Sequence, residues 1–336
     1  MNLQQRIEIL STAGSYMAGN GTADEAANWE EVLQKAYVKN NWFTPTFTRT
    51  ACRAIAGNLL QQEQLEQWAA HYHLNDSVLP KTVGLVMAGN IPMVGFHDFL
   101  TVFLSGHHQV IKLSSKDDLL LKHLVETMTR WNPAVAERVQ FSERLNDCDA
   151  YIATGSDNSA RYFDYYFGRY PSIIRKNRTS VAVLTGNETD VELDLLADDI
   201  MLYFGLGCRN VTKLYVPQEY NFEPILKALR KYSYFFEHHK YRNNYDYQLA
   251  IYIMNNKYYM TNDCIVLVEQ EELFSPIGTL HYSFYTEEET VHTQLQQHPS
   301  VQAIVGSGGI PFGNAQRPGL MDYADGVDVM QFLLEL

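Results

Sequence analysis

The sequence predicts an α/β protein of two lobes with a cleft between them. Its 336 residues exceed what a single hydrophobic core usually serves. From about residue 82 onward, short apolar runs alternate with segments whose apolar residues recur at helical spacing, which is the pattern of a parallel sheet with helices on its faces. The composition is that of a folded chain, 46% hydrophobic and 19% charged, without a low-complexity tract.

Up to about Leu74 the spacing is helical, notably over residues 28–43 and 49–72, and these helices are expected to pack against the first lobe. Residues 82–89 read as a buried strand, Gly89-Asn90-Ile91-Pro92 as a polar turn, and 94–106 as a helix. Strand 107–115 and helix 116–131 follow, then strands at 138–142 and 149–156 and a helix over 156–168. Ligands of such sheets gather where strands end and helices begin, which singles out the turns at Asn90, at Ser114 and Ser115, and at Gly155 and Ser156. After a strand at 179–186, a one-faced helix over 191–204 runs into Gly205-Leu206-Gly207-Cys208-Arg209 and the strand 211–217. A tyrosine-rich stretch, strands at 264–270 and 279–286, a helix at 287–298, a strand at 303–307 and a Gly- and Pro-rich segment complete the chain.

A net charge of −13 repels phosphate backbones and anionic membrane surfaces, so nucleic acid is not an expected partner. A phosphorylated cofactor remains compatible, because helix N-termini and a few local lysines hold phosphate whatever the global charge. The stretch from Val83 to Gly106 is long enough to span a bilayer but contains Asn90, Pro92, His97 and Asp98, so no membrane span is expected. Cys52, Cys148, Cys208 and Cys264 have neither CxxC nor metal-ligand spacing. Reduced thiols and a cytoplasmic location are the natural reading, since residues 1–10 lack signal-peptide anatomy.

Cys208 lies between small residues at a helix-to-strand turn where a substrate can approach, and Arg209 is placed to lower its pKa. The competing reading is a buried structural cysteine in a tight turn. Thr154-Gly155-Ser156 has the form of a phosphate-approach turn, although most strand-Gly-helix turns bind nothing. Lys112 at another strand end and the pair Glu271-Glu272 read equally well as solvated charge. His71 with His73, and His238 with His239, have no nearby third ligand, so no metal is expected. The aromatic run from Tyr232 to Tyr259 fits a packed core or an interface better than an acyl tunnel.

In order, these pieces resemble the aldehyde dehydrogenase superfamily from about Val83 to the C-terminus. Gly89-Asn90-Ile91-Pro92 is similar to that family's Asn-Phe-Pro turn, and Ile111-Lys112-Leu113-Ser114-Ser115 to its Leu-Lys-Pro-Ser-Glu strand end. Ala153-Thr154-Gly155-Ser156, followed by Ala160-Arg161, resembles its Phe-Thr-Gly-Ser with a later Gly-Arg. Gly205-Leu206-Gly207-Cys208 resembles its Gly-Gln-x-Cys nucleophile turn, and Glu271-Glu272-Leu273-Phe274-Ser275-Pro276 its Glu-Glu-Ile-Phe-Gly-Pro. Pro311-Phe312-Gly313, with Pro318-Gly319, resembles its C-terminal Pro-Phe-Gly-Gly and Ser-Gly. The closing Tyr323-Ala324-Asp325-Gly326-Val327-Asp328 is similar to the acyl-CoA reductase branch associated with bacterial luminescence.

The resemblance implies two Rossmann-like α/β lobes with an active-site cleft between them. Residues 1–185 would comprise the N-terminal helices and the cofactor lobe, and 186–305 the catalytic lobe. Residues 306–336 would return to the cofactor lobe or form an oligomer interface. It implies Cys208 as nucleophile, Asn90 and the Cys208 N–H as oxyanion donors, Lys112 and Ser114 on the adenosine ribose, Gly155 and Ser156 at the pyrophosphate, and Glu272 on the nicotinamide ribose. Two departures matter. The family's water-activating Glu falls on Ile174, and the branch's Gln near the cysteine is Leu206. Both speak against ordinary aldehyde oxidation, and the expected activity is an acyl-CoA reductase that forms an acyl-cysteine and reduces it to aldehyde. The family's ribose-binding acid is replaced by Ser115 beside Lys116, which suits NADPH, with NADH also possible. A homo-oligomer acting on acyl-CoA or aldehyde is expected. The alternatives are a hydrolytic aldehyde dehydrogenase, a cysteine thioesterase, or a non-catalytic nucleotide-binding protein of the same fold.

Overall fold

Asn2, Thr22 and Thr44 each open a helix in the computed structural model, which describes residues 1–336. The helices are α1 (Leu3–Ala18), α2 (Ala23–Lys39) and α3 (Pro45–Leu59). In the first two, Gln5 and Glu25 return a side-chain bond to the cap N–H, completing capping boxes that satisfy otherwise orphaned donors. The chain bends at Leu60-Gln61 before α4 (Gln62–His71), so the helical stretch 49–72 is two helices.

Strand–helix alternation then builds a sheet from β1 (Thr82–Val86), α5 (Phe96–Ser105), β2 (His108–Lys112), α6 (Leu120–Trp131), β3 (Val139–Phe141), β4 (Ala150–Thr154), α7 (Asp157–Phe167) and β5 (Ser172–Arg175). All its strands are parallel, in the order β3-β2-β1-β4-β5. Val83, Leu85, Ile111 and Ile152 from the sheet pack in one core with Phe99 and Phe103 of α5, Leu124 and Met128 of α6, and the apolar faces of α1 and α4. The strand β5 has no counterpart among the strands expected from the sequence. Only Ile173 and Ile174 are apolar there, between Ser172 and Arg175, too short a run to announce itself.

The second sheet uses β6 (Thr179–Val183), α8 (Asp190–Met201), β7 (Val211–Pro217), α9 (Glu223–Leu229), α10 (His239–Met254), β8 (Met260–Thr261), β9 (Val266–Glu269), β10 (Thr279–Tyr285), α11 (Glu288–Gln297) and β11 (Val301–Gly306). Its order is β11-β6-β7-β10-β9-β8, parallel except for the short antiparallel edge β8. Val181 and Val183 pack with Leu295 and Val301, while Val266 and Val268 pack with Tyr245 and Tyr252.

Two units result, Met1–Asn177 with Arg317–Leu336, and Arg178–Gln316. The division falls before the boundary expected near residue 185, because β6 pairs with β7 and β11 rather than with the first sheet. The closing segment, including α12 (Val329–Leu334), packs into the first unit, where Val329, Met330 and Leu333 join the core. No helix is long and apolar enough to cross a membrane.

Candidate active site

Parallel strands put all their carboxyl ends on one edge, and in the first unit the strand order reverses between β1 and β4. The turns after β1, β2 and β4 therefore share that edge. They carry Asn90, then Lys112, Ser114 and Ser115, then Gly155 and Ser156. The first two turns touch: Met87 N–H donates to the Lys112 carbonyl at 3.0 Å, and a Cβ on Gly89 would lie 2.7 Å from Ser114. Gly155 is similarly confined, since a Cβ there would meet Phe163 at 2.8 Å and Ser159 at 2.9 Å. Asn90, Lys112, Ser115 and Ser156 are exposed, and Ser114 and Gly155 half-buried. Ser156 caps α7 by accepting from Ser159 N–H. Ser114 Oγ accepts from Lys116 N–H, which leaves its own proton to donate.

Two buried charged groups, neither singled out in the sequence, support these turns. Asp117 accepts from Met93 N–H at 2.7 Å beneath the Asn90 turn. Arg175 bonds Asp98 at 2.5 Å, contacts Thr154 Oγ1 at 3.5 Å, and accepts Gly155 N–H on its carbonyl at 3.3 Å. Ile174 lies on β5 opposite Ala153 and is half-buried.

In the second unit, Cys208 is half-buried in the turn between α8 and β7. The backbone entering that turn is unusual: Tyr203, Phe204 and Gly205 have φ of 56°, 58° and 73°, a left-handed run that non-glycine residues rarely adopt. It is held by Asn210, which is fully buried. Asn210 Nδ2 donates to the carbonyls of Asp199, Ile200 and Leu202 at 3.1, 3.2 and 2.9 Å, and its Oδ1 accepts from Gly207 N–H at 2.8 Å. Ser180 Oγ donates to the Cys208 carbonyl at 3.1 Å. Phe204 packs against Phe235, His238 and Tyr241.

The other cysteines differ. Cys52, Cys148 and Cys264 are buried, and burial pushes their thiols up, Cys264 to about 12. At neutral pH these are protonated and out of reach.

Glu272 is exposed, yet its segment is pinned from below. Thr212 Oγ1 donates to the Leu273 carbonyl at 2.7 Å, Lys213 Nζ to the Glu271 carbonyl at 2.8 Å, and His281 Nδ1 is 2.9 Å from the Glu272 carbonyl. Lys213 and His281 are neighbours in register on β7 and β10. The segment thus lies over the amino-terminal half of β7, the strand that leaves the Cys208 turn. Burial holds both the Lys213 ammonium and the His281 imidazolium below their usual ranges, with Glu271 and Glu272 opposing it at Lys213. Lys213 also stands 4.9 Å over the Tyr215 ring.

Other singled-out residues have structural uses. Tyr241 and Tyr245 are core residues whose hydroxyls reach the Cys264 carbonyl and Thr261 Oγ1, both at 2.8 Å. Tyr323 and Asp328 of the closing motif tie the chain to α4: Trp68 Nε1 donates to Tyr323 OH at 3.2 Å and Tyr72 OH to Asp328 at 2.6 Å.

No family model matches the chain. It is 22% identical over 224 residues to long-chain acyl-protein thioester reductase 2 of Photobacterium leiognathi, a match taking in 60% of this chain and 46% of the relative. The chain thus spans about half the length of the curated relative it matches. Among solved structures, a Bacillus cereus aldehyde dehydrogenase superposes with a TM-score of 0.63 at 12% identity, over 95% of this chain and 75% of that one. The Mycobacterium tuberculosis aldehyde dehydrogenase, solved with NAD+, gives 0.60 at 16% identity over 91% and 73%.

Proposed function

Because the chain has the aldehyde dehydrogenase fold, we propose that it is an acyl-thioester reductase that carries the acyl group on Cys208 and releases it as an aldehyde. The observation that carries the reading is the contrast among the cysteines. Three are buried with raised pKa values, and the fourth is half-buried on a turn held by Asn210 and Ser180. The thioester reductase relative supports the substrate class. Acyl-CoA is the donor to test.

The Cys208 thiolate adds to the thioester carbonyl, the carbon–sulfur bond to CoA breaks, and CoA leaves as thiolate. Asn90 and the Cys208 N–H are the donors we assign to the oxyanion; losing one such donor typically costs about 10² to 10³ in rate. A nicotinamide cofactor, when bound, would supply the hydride; the thiohemiacetal alkoxide left on Cys208 would then collapse, expelling the Cys208 thiolate and freeing the aldehyde. The turns fit such a cofactor, since Ser114 Oγ keeps a proton to donate and Lys112, Ser115 and Ser156 are exposed where the strands of a parallel sheet end. We assign Gly155 and Ser156 to the pyrophosphate, Lys112 and Ser114 to the adenosine ribose, and Glu272, on its pinned segment, to the nicotinamide ribose. Ser115 and Lys116 favour NADPH over NADH.

Mass spectrometry of the intact protein mixed with acyl-CoA but no cofactor tests the reading. One acyl group should be gained by the natural chain and by variants at Cys52, Cys148 or Cys264, but none by Cys208→Ala. Adding NADPH should then release aldehyde. Labelling of Cys208→Ala, or release of carboxylate alone, would overturn the assignment.

A further inference from the structure

Asp117 has no part in the chemistry above, yet it is placed beneath the turn that carries Asn90. It is 9% exposed, and while Oδ2 accepts from Met93 N–H, Oδ1 is buried with no hydrogen-bond partner. Met93 has a φ of 58°, so the Asn90 turn closes through a left-handed, non-glycine residue that Asp117 holds by its N–H. Contact is direct, because a Cβ on Gly89 would lie 3.2 Å from that of Asp117.

We propose that Asp117 is a positioning residue for Asn90, and that loss of its proton tightens its hold on the turn at Met93. This deepens the reading above and rests, in its catalytic half, on the oxyanion role of Asn90. The titratable groups facing Asp117 are Cys52 from α3 and Asp118 from its own turn, and neither stabilises a negative charge. Asp118 is itself paired with Lys39 of α2 at 2.5 Å, and the adjacent Lys116 is exposed to solvent. Burial first, and Asp118 next, raise the Asp117 carboxyl to about 7 against the opposing Met93 bond. The group therefore changes charge near neutrality. A carboxylate accepts an N–H roughly twice as strongly as a neutral carboxyl, so the turn is held more firmly above that pH and more loosely below it.

Hydrogen exchange, followed by mass spectrometry of peptides covering Met93 between about pH 5.5 and 8.5, tests this without catalysis. Relative to the intrinsic exchange rate, protection at Met93 should rise severalfold through about pH 7. In Asp117→Asn, which keeps a neutral acceptor in place, protection should stay at the low-pH level. A flat profile in the natural chain, or the same rise in the variant, would overturn the proposal. The rate of Cys208 acylation by acyl-CoA, measured over the same range, should show a step in the natural chain that Asp117→Asn lacks. An exchange step with identical acylation profiles would uphold Asp117 as the holder of the turn and reject the oxyanion role of Asn90.

Discussion

Arg175 at the end of β5 donates from Nη1 to Asp98 Oδ2, at 2.5 Å, in the first turn of α5, linking residues 77 positions apart. Both side chains are nearly dry, 6% and 11% exposed. The pair ties the start of the helix that follows the Asn90 turn to the strand whose carbonyl holds Gly155. Removing one partner leaves a buried charge uncompensated, which typically costs about 3–5 kcal/mol, whereas replacing both by apolar groups costs far less. Asp98→Ala should thus be more destabilising than Asp98→Leu combined with Arg175→Met. Urea denaturation of the three proteins checks the order, and equal losses would show that the pair holds no charge worth compensating.

The Asn210 amide gives a sharper contrast at the Cys208 turn. Its Nδ2 faces three carbonyls and its Oδ1 one N–H. Asn210→Ala removes the bonds, leaving buried groups unsatisfied at about 1–3 kcal/mol each. Asn210→Asp is predicted to be worse, because it points a second oxygen at carbonyls that need a donor. Thermal melting should rank natural chain, Ala and Asp in that order, with the Cys208 acylation rate falling in parallel.

Much of this was legible in the sequence, and what was not has a common cause. Residues 82–89 and 149–156 announce strands because their apolar runs, at 85–88 and 150–153, end in turn residues. The supports of the site carry no such signal. Asn210, Ser180 and Asp117 are single polar residues whose partners are set by folding: Ser180 reaches a carbonyl 28 positions away and Lys213 one 58 away. The left-handed Tyr203 and Phe204 run against the preferences of their own side chains, and only the surrounding bonds impose that conformation.

Asp117 also makes stability depend on pH. Its carboxyl is raised in the fold from 3.8 to about 7, so the folded chain holds the proton more tightly than the unfolded one. The benefit is complete below about pH 4 and is lost as pH rises to about 7. At about 1.4 kcal/mol per pKa unit, the full swing is about 4 kcal/mol. Asp117→Asn should remove this swing. Urea midpoints at pH 5 and pH 8 are therefore predicted to lie closer together in the variant, and an unchanged gap would mean that Asp117 does not titrate in this range.

Cofactor choice should follow the end of β2. Ser115 and Lys116 are exposed there, and the nearest acids are unavailable: Asp117 is buried and Asp118 is paired with Lys39. A 2′-phosphate placed there, as proposed above, would meet donors instead of a carboxylate. Ser115→Glu is predicted to lower kcat/KM for NADPH by at least about tenfold, or 1.4 kcal/mol, with little change for NADH. Parallel steady-state assays with the two cofactors decide it.

The lifetime of the acyl-enzyme should depend on Ile174, a half-buried side chain of β5 in the position where the resemblance expects a water-activating glutamate. Water near neutral pH is a poor nucleophile unless a positioned base takes its proton, assistance worth about 10² to 10⁴ in rate. CoA needs less help, because part of its thiol is already ionised and the thiolate is the stronger nucleophile. A thioester on Cys208 should therefore persist in buffer and turn over with CoA or NADPH. Protein acylated, freed of excess acyl-CoA and divided among those three conditions provides the measurement. Loss in buffer alone as fast as with NADPH would favour a hydrolase. Ile174→Glu should raise the rate in buffer by about 10-fold or more, approaching the range of general-base assistance. An unchanged rate would place the side chain at position 174 away from the reacting thioester and leave the slow hydrolysis to be explained by exclusion of water.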